Sequence, residues 1–133
     1  MFQINKVKPI RKKINTLPSE SIKTWKFGAV VLLIHGVADP ISTYLAVIHY
    51  QVGVEANPVV ANALNNGELH FLMFHIPLYV VIGGCLAGFT VIYSKLPEKR
   101  RKRLYQYSKY VWWGLICWGT VIVGSNLYII AVN

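Results

Sequence analysis

Ionisable and polar residues interrupt the first long apolar segment of the chain at a regular spacing. His35, Asp39 and Thr43 are four residues apart, and Ser42 follows Asp39 by three. In an α-helix these spacings place the four side chains on one face. Pro40 directly follows Asp39, and a proline inside a helix removes a backbone donor and favours a kink. A carboxylate in an apolar helix is costly unless polar groups or water meet it, so the pattern predicts a polar site at this level.

Polar residues from later parts of the chain are expected to meet this face. In the segment GVEANPVVANALNNGELH, Asn57 is expected to cap a short helix that Pro58 begins and Gly67 ends. At a rise of about 1.5 Å per residue, side chains of the next two apolar segments reach a similar depth. The predicted polar cluster consists of Asp39, Ser42, Thr43, Glu55, Asn57, His75 and Asn126.

Three interpretations of this cluster are open from the sequence. In the preferred one, the side chains tie helices together by hydrogen bonds, as polar residues do inside membranes. In the second, they bind a transition metal such as zinc, copper or iron, because imidazole and carboxylate are ligands for these metals. The third is a hydrolase or proton path in which a carboxylate acts as general base. No HExxH or GxSxG motif is present, so no residue is assigned as catalytic. The candidate metal ligands are His35, Asp39, Glu55 and His75.

The pattern D-x-x-S-T…G-x-E-x-N-P, which runs from Asp39 to Pro58, resembles an uncharacterised prokaryotic family of small integral membrane proteins. The similarity covers roughly residues 33–84. In that family a Lys often occupies the next span, near the position of His75 in this chain. The resemblance implies a site at these residues, with a titratable group or metal ligand in place of a fixed cation, and it implies no biochemical activity.

Three long apolar segments must position these residues. Of the 133 residues, 54% are hydrophobic and 14% are charged, whereas soluble domains usually have about 25% charged residues. Segments of about 25–50, 69–93 and 110–132 each exceed the roughly 20 residues that a helix needs to cross a bilayer. They are apolar all round, which disfavours both a helix of a soluble protein and the alternating strands of a barrel.

The predicted fold class is therefore all-α. It is an integral membrane three-helix bundle with the N-terminus inside, the C-terminus outside and a short interfacial helix in the first outer loop. Residues 1–24 are interpreted as a basic cytoplasmic segment and residues 25–133 as the membrane domain. The orientation follows from the positive-inside rule, because seven basic residues lie in or beside the N-terminal tail and the other seven lie between the second and third spans. With the prokaryotic resemblance, this indicates the cytoplasmic membrane of a prokaryote.

The basic loop between the second and third spans combines cations with aromatic residues. A nucleic-acid interface is the less favoured interpretation, because a short loop between two spans more simply contacts anionic lipid headgroups. The predicted headgroup contacts are Lys99, Arg100, Arg101, Lys102 and Arg103.

Small residues predict helix packing surfaces. Gly84 and Gly88 form a GxxxG pair in the second span, while Gly36 and Gly119 lie in the first and third. These surfaces join the three helices either to each other or to a partner, and the sequence leaves both alternatives open.

The sequence favours an accessory or structural subunit of a larger membrane complex, or a homo-oligomer, because three helices enclose little volume for a transport pathway. The expected partners are anionic headgroups on the inner side and membrane-protein subunits or a second copy, with no nucleic acid. The alternative function is a metal-binding or enzymatic membrane protein that uses Asp39, Glu55 and His75.

Overall fold

The computed structural model describes residues 17–55 and 57–133, and every regular element in these ranges is helical. Residues 1–16 carry five of the cations of the predicted cytoplasmic segment, and this part of the interpretation lies outside the described residues. The all-α fold class is confirmed. Three helices are long and apolar enough to cross a membrane, namely Ser19–His49, Glu68–Lys95 and Glu98–Val132.

The first long helix contains two local changes of winding. Helix α1 (Ser19–Leu33) leads into a π-helical turn (Ile34–Ala38), and α2 (Asp39–Tyr44) leads into a second one (Leu45–His49). Pro40 lies at the start of α2 and has no N–H to donate to the carbonyl four residues earlier. The widened turn directly before it is a common response to an interrupted helical ladder.

A short helix follows the first long one, as the sequence predicts. Helix α3 (Pro58–Asn65) begins after Asn57, whose side-chain oxygen accepts a hydrogen bond from the backbone N–H of Val59 at 3.0 Å. Gly67 has a φ of 105°, a conformation that favours glycine, and it separates α3 from α4 (Glu68–Phe74). Side chains of α3 and α4 share a small apolar core that includes Leu64 and Phe71.

The second long helix is broken where the sequence predicted one continuous span. Helix α4 ends before His75, and α5 (Ile76–Lys95) begins directly after it, with Pro77 in its first turn. The third long helix, α6 (Glu98–Val132), starts after Pro97 and continues through the basic segment into the apolar one. Its 35 residues are about 52 Å long at 1.5 Å per residue, so the helix is longer than a bilayer core of about 30 Å.

The second and third long helices pack against α1 of the first. Helix α1 contacts both α5 and α6, and its Val31 lies in one apolar cluster with Ile82 and Leu86 of α5 and Trp112 of α6. Many large apolar side chains on the outer faces are exposed, among them Val80 and Val121. This distribution fits helices surrounded by lipid, because lipid tails cover apolar surface that water would not.

Candidate functional site

The deformation of the first long helix places Asp39 and its neighbours. The carbonyl of Gly36 lies four residues before Pro40, which has no N–H, and it accepts a hydrogen bond from the hydroxyl of Tyr79 in α5. A Cβ atom at Gly36 would lie 2.6 Å from Cε1 of the Tyr79 ring. Proline thus leaves the carbonyl without its usual donor, and glycine leaves room for the tyrosine that supplies one.

His35 faces α6 and does not line the polar cavity described below. Its Nε2 lies 2.9 Å from the backbone carbonyl of Leu115. A carbonyl only accepts hydrogen bonds, so Nε2 carries the proton and donates. The contact depends on Gly119, because a Cβ there would lie 2.6 Å from the same nitrogen. Nδ1 of His35 is 4.0 Å from Oδ2 of Asp39, which is beyond hydrogen-bonding distance.

Asp39 is connected to the third long helix through a short hydrogen-bonded chain. The Thr43 hydroxyl donates to Oδ1 of Asp39 at 3.3 Å. The side-chain amide of Asn126 donates to Thr43 Oγ1 at 3.0 Å and to Ser42 Oγ at 3.1 Å. Ser42 in turn donates to the backbone carbonyl of Asp39 at 3.1 Å. Both hydroxyl residues are buried, so Asn126 ties α6 to α2 at the level of the carboxylate.

The segment between the first and second long helices brings a second carboxylate to the site. Glu55 Oε1 accepts a hydrogen bond from the backbone N–H of Asn57 at 2.7 Å. The side chain of Asn57 caps α3, so Glu55 is held by the same turn that starts this helix.

His75 lies at the break between α4 and α5. Its Nδ1 is 2.9 Å from the carbonyl of Phe71, so Nδ1 is the protonated nitrogen. In the neutral ring this leaves Nε2 as an acceptor. The rings of Phe71 and Phe74 meet the imidazole edge-on, with centroids at 5.0 and 5.7 Å, and restrict its orientation.

These groups line one cavity of about 460 Å³, which we call the outer cavity. Six of the seven residues of the predicted polar cluster contribute to its wall, and Ser42 lies behind Thr43 and Asn126. Within the described part of the chain, no Lys or Arg side chain lines it. Three further cavities between described residues are lined mainly by apolar side chains. The lining residues are Asp39, Thr43, Val54, Glu55, Asn57, Val60, Phe71, His75, Trp118, Ile122 and Asn126.

The candidate metal ligands are not assembled into a coordination site. Among residues 17–55 and 57–133, no three His, Cys, Asp or Glu side chains are close enough together to hold a metal ion. The predicted set of His35, Asp39, Glu55 and His75 is divided, because His35 is turned toward the Leu115 carbonyl on α6. The other three share the cavity wall without approaching one another as ligands.

The glycines chosen from the sequence have two different environments. Gly36 and Gly119 lie at close helix contacts, where a methyl group would collide with Tyr79 and His35. Gly84 and Gly88 have nothing within 4 Å of the position that a Cβ would occupy. The GxxxG pair therefore does not pack against the described residues of this chain.

The residues predicted to contact lipid headgroups differ in their exposure and in their ion pairs. Arg101 donates from Nε to Oε2 of Glu20 at 2.9 Å, and Glu20 is only 5% exposed. Lys102 pairs with Glu98 one helical turn earlier. Lys99, Arg100 and Arg103 are exposed.

Sequence reasoning missed three aromatic residues of the region. Tyr79 satisfies the Gly36 carbonyl, while Phe71 and Trp118 form part of the cavity wall. Pro40 signals that a carbonyl one turn earlier needs a donor, and Tyr79 is a hydroxyl-bearing residue in the next span. The spacing of eight residues between Trp118 and Asn126 likewise places both on one face of a helix.

Comparison with known proteins identifies a family. Neither the curated proteins nor the solved structures include a match to this chain. The model of the family described as "Domain of unknown function (DUF5658)" matches residues 30–132. This range includes every residue that lines the outer cavity. The match covers most of the chain, which therefore belongs to the DUF5658 family.

Proposed function

We propose that this protein is a membrane-spanning binding protein and that its outer cavity takes up a small organic cation. The observation that carries the proposal is the composition of the cavity wall. Two carboxylates, Asp39 and Glu55, share a cavity of about 460 Å³ with the aromatic side chains of Phe71 and Trp118. Ligand pockets typically measure about 300–1,000 Å³, so a small molecule fits this volume.

The charge of the wall favours a cation over an anion. Asp39 Oδ1 accepts a hydrogen bond from the hydroxyl of Thr43, and Glu55 accepts one from the backbone N–H of Asn57. Both donors are neutral, so neither hydrogen bond neutralises the charge of the carboxylate. An ionised carboxylate inside a membrane protein needs a counter-charge or water. Aromatic faces also attract cations, and desolvation strengthens this attraction. A positively charged solute would therefore satisfy both kinds of group at once.

The hydrogen bonds support binding in preference to catalysis. The tie from Asn126 to Ser42 and Thr43 holds α6 against α2 and fixes the cavity wall. His75 directs its protonated nitrogen at the Phe71 carbonyl, and Asp39 receives Thr43, so neither group acts on the other. The interhelical tie and the binding site are thus two parts of one arrangement.

The orientation of the chain determines where the solute comes from. The positive-inside rule favours a cytoplasmic basic end, with Lys99, Arg100 and Arg103 exposed there. The outer cavity lies at the other end of the long helices, beside the loop that contains Glu55 and Asn57. In the cytoplasmic membrane of a prokaryote, the cavity would collect its ligand from the external side.

The test is a binding titration of the purified protein in mild detergent, with tetramethylammonium chloride as the probe and calorimetry as the readout. Asp39→Asn and Glu55→Gln each remove one charge from the wall. We expect each to weaken binding roughly tenfold, which corresponds to about 1.4 kcal/mol. Trp118→Leu tests the aromatic contribution and should weaken binding about fivefold.

Glu68→Gln is the matched control, because Glu68 is a carboxylate of the same region that accepts the hydroxyl of Tyr44 and does not line the outer cavity. Its affinity for the probe should equal that of the wild type. Equal affinities for all four variants would contradict the proposal, as would a wild-type protein that does not bind the probe.

A second candidate function is supported by the GxxxG pair of α5. The space beside Gly84 and Gly88 fits the close approach of another helix, either from a partner subunit or from a second copy. In this proposal the chain acts as an accessory or structural subunit of a larger membrane complex, or as a homo-oligomer.

Crosslinking in native membranes tests this second candidate. The double variant Gly84→Leu, Gly88→Leu should lose the crosslinked species, because two leucines prevent close helix approach. Gly124→Leu serves as the control, since Gly124 on α6 also has nothing within 4 Å of its Cβ position. Only monomers in wild-type membranes would contradict the assembly role, and they would leave the cavity proposal unaffected.

A further inference from the structure

At the basic end of the molecule, α1 and α6 flank a second, open cavity that differs from the outer one. It has a volume of about 410 Å³. Its wall is apolar except at one end, where two lysines of α1 stand within one helical turn of each other. We call it the basic groove. Its lining residues are Lys23, Lys26, Phe27, Val30, Tyr105, Trp113 and Ile116.

The groove runs along α1 from the two lysines toward the apolar part of the helix. Lys23 and Val30 are seven residues apart on α1, which corresponds to about 10 Å along the helix. Lys23 Nζ lies 5.8 Å from the centroid of the Tyr105 ring, and this contact holds the ammonium group at the charged end of the groove. The rings of Phe27 and Trp113 meet edge-on at 5.8 Å below it. The charged side chains therefore lie at one end of the groove, and apolar side chains line the rest of it.

We propose that the basic groove binds one anionic phospholipid of the leaflet that surrounds the basic end of the bundle. The two ammonium groups match a phosphodiester headgroup, and the apolar floor matches the beginning of an acyl chain. Basic pockets between membrane helices are a recognised form of headgroup site. Trp25, which lies between the two lysines in sequence, donates its Nε1–H to Thr90 on α5 at 2.9 Å. That hydrogen bond helps to orient this turn of α1.

The groove differs from the general attraction between a basic surface and lipid. Lys99, Arg100 and Arg103 are exposed cations near the start of α6, and none of them lines the basic groove. They attract any anionic surface, whereas Lys23 and Lys26 stand beside a hydrocarbon-sized space. A specific site should therefore depend on both the lysines and the shape of the groove, while diffuse attraction should depend only on total charge.

The experiment measures retention of phosphatidylglycerol by the detergent-purified protein, by native mass spectrometry, with phosphatidylcholine of the same acyl chains as the neutral reference. The variant Lys23→Gln, Lys26→Gln should reduce retention of phosphatidylglycerol by roughly 30-fold, since each cation near a membrane surface contributes about fivefold. The control Arg100→Gln, Arg103→Gln removes the same charge, but these side chains do not line the basic groove and detergent has replaced the anionic bilayer surface, so retention should change less than about threefold. All four positions are exposed, so both variants are expected to fold.

A third variant, Val30→Trp, fills the groove without changing its charge. Val30 is 42% exposed, so the larger side chain can be accommodated, and phosphatidylglycerol retention should fall as it does in the lysine variant. Equal losses in the two charge variants would overturn the proposal in favour of diffuse attraction. Unchanged retention in Val30→Trp, or displacement of the lipid by millimolar inorganic phosphate, would overturn it by removing the role of the groove. A change in self-association without a change in lipid retention would also overturn it and would identify a second copy as the occupant.

Discussion

At the basic end of the bundle, the carboxylate of Glu20 is buried and receives Arg101 at 2.9 Å. At the opposite end, the carboxylate of Asp39 receives a threonine hydroxyl at 3.3 Å and lines the outer cavity. Around Glu20, Thr24 is within 3.5 Å of the hydroxyl of Tyr93, which shares a hydrogen bond with Ser108 at 3.0 Å. These side chains connect all three long helices, and none of them lines the outer cavity.

The comparison separates two uses of a carboxylate in one small protein. A buried charge that meets a guanidinium contributes to holding helices together, although its desolvation offsets part of the gain. A carboxylate that faces a cavity contributes little to the stability of the fold. Its oxygens can still accept hydrogen bonds or a counter-charge from a ligand. The burial of Glu20, 5% exposed, and of Tyr93, 0% exposed, shows that the carboxylate at the basic end is part of a buried connection between the three long helices. The carboxylate of Asp39 is instead available to the small cation proposed for the outer cavity.

The largest effect on stability should come from breaking the pair at the basic end. Arg101→Gln leaves the carboxylate of Glu20 buried without its cation. Loss of one partner of a buried pair typically costs about 3–5 kcal/mol, and the partial exposure of Arg101 places the expected loss near 3 kcal/mol. The measurement is the free energy of unfolding in mild detergent, from a denaturant titration followed by circular dichroism.

The double variant Glu20→Gln, Arg101→Gln is the matched control. It removes both charges, so most of the stability lost in Arg101→Gln should return. If the single and double variants are equally unstable, Arg101 acts through packing of its side chain, and the contrast between the two ends loses its electrostatic basis.

The elements of the fold were largely predictable because they depend on local composition. The apolar segments identify three helices that are long and apolar enough to cross a membrane, and Asn57 followed by Pro58 identifies the start of α3. The break at His75 was not predicted, although Pro77 lies two residues later and disrupts the helical ladder there. The helical course of the basic segment before the third span follows from Pro97 and from the helix-forming lysines and arginines after it.

The site was only partly predictable because helix rotation decides which side chains meet. Depth along a helix follows from residue counts, so seven polar residues could be assigned to one cluster, and the structure places six of them around one cavity. The rotation of a helix about its axis depends on contacts between residues far apart in sequence, such as Gly119 with His35. The spacing of residues within one segment does not predict such contacts. For the same reason the pairing of Arg101 with Glu20, 81 residues apart, was not foreseen.

The smallest effect on stability should come from neutralising the carboxylate that faces the outer cavity. In Asp39→Asn the amide oxygen can still accept the hydroxyl of Thr43, so the chain of hydrogen bonds to Asn126 remains. The expected change in the free energy of unfolding is below about 1 kcal/mol. The same denaturant titration measures it, and addition of tetramethylammonium should stabilise the wild type more than the variant. A loss comparable to that of Arg101→Gln would show that Asp39 holds the bundle together as Glu20 does, and the distinction between a carboxylate that connects helices and one that binds a ligand would then fail.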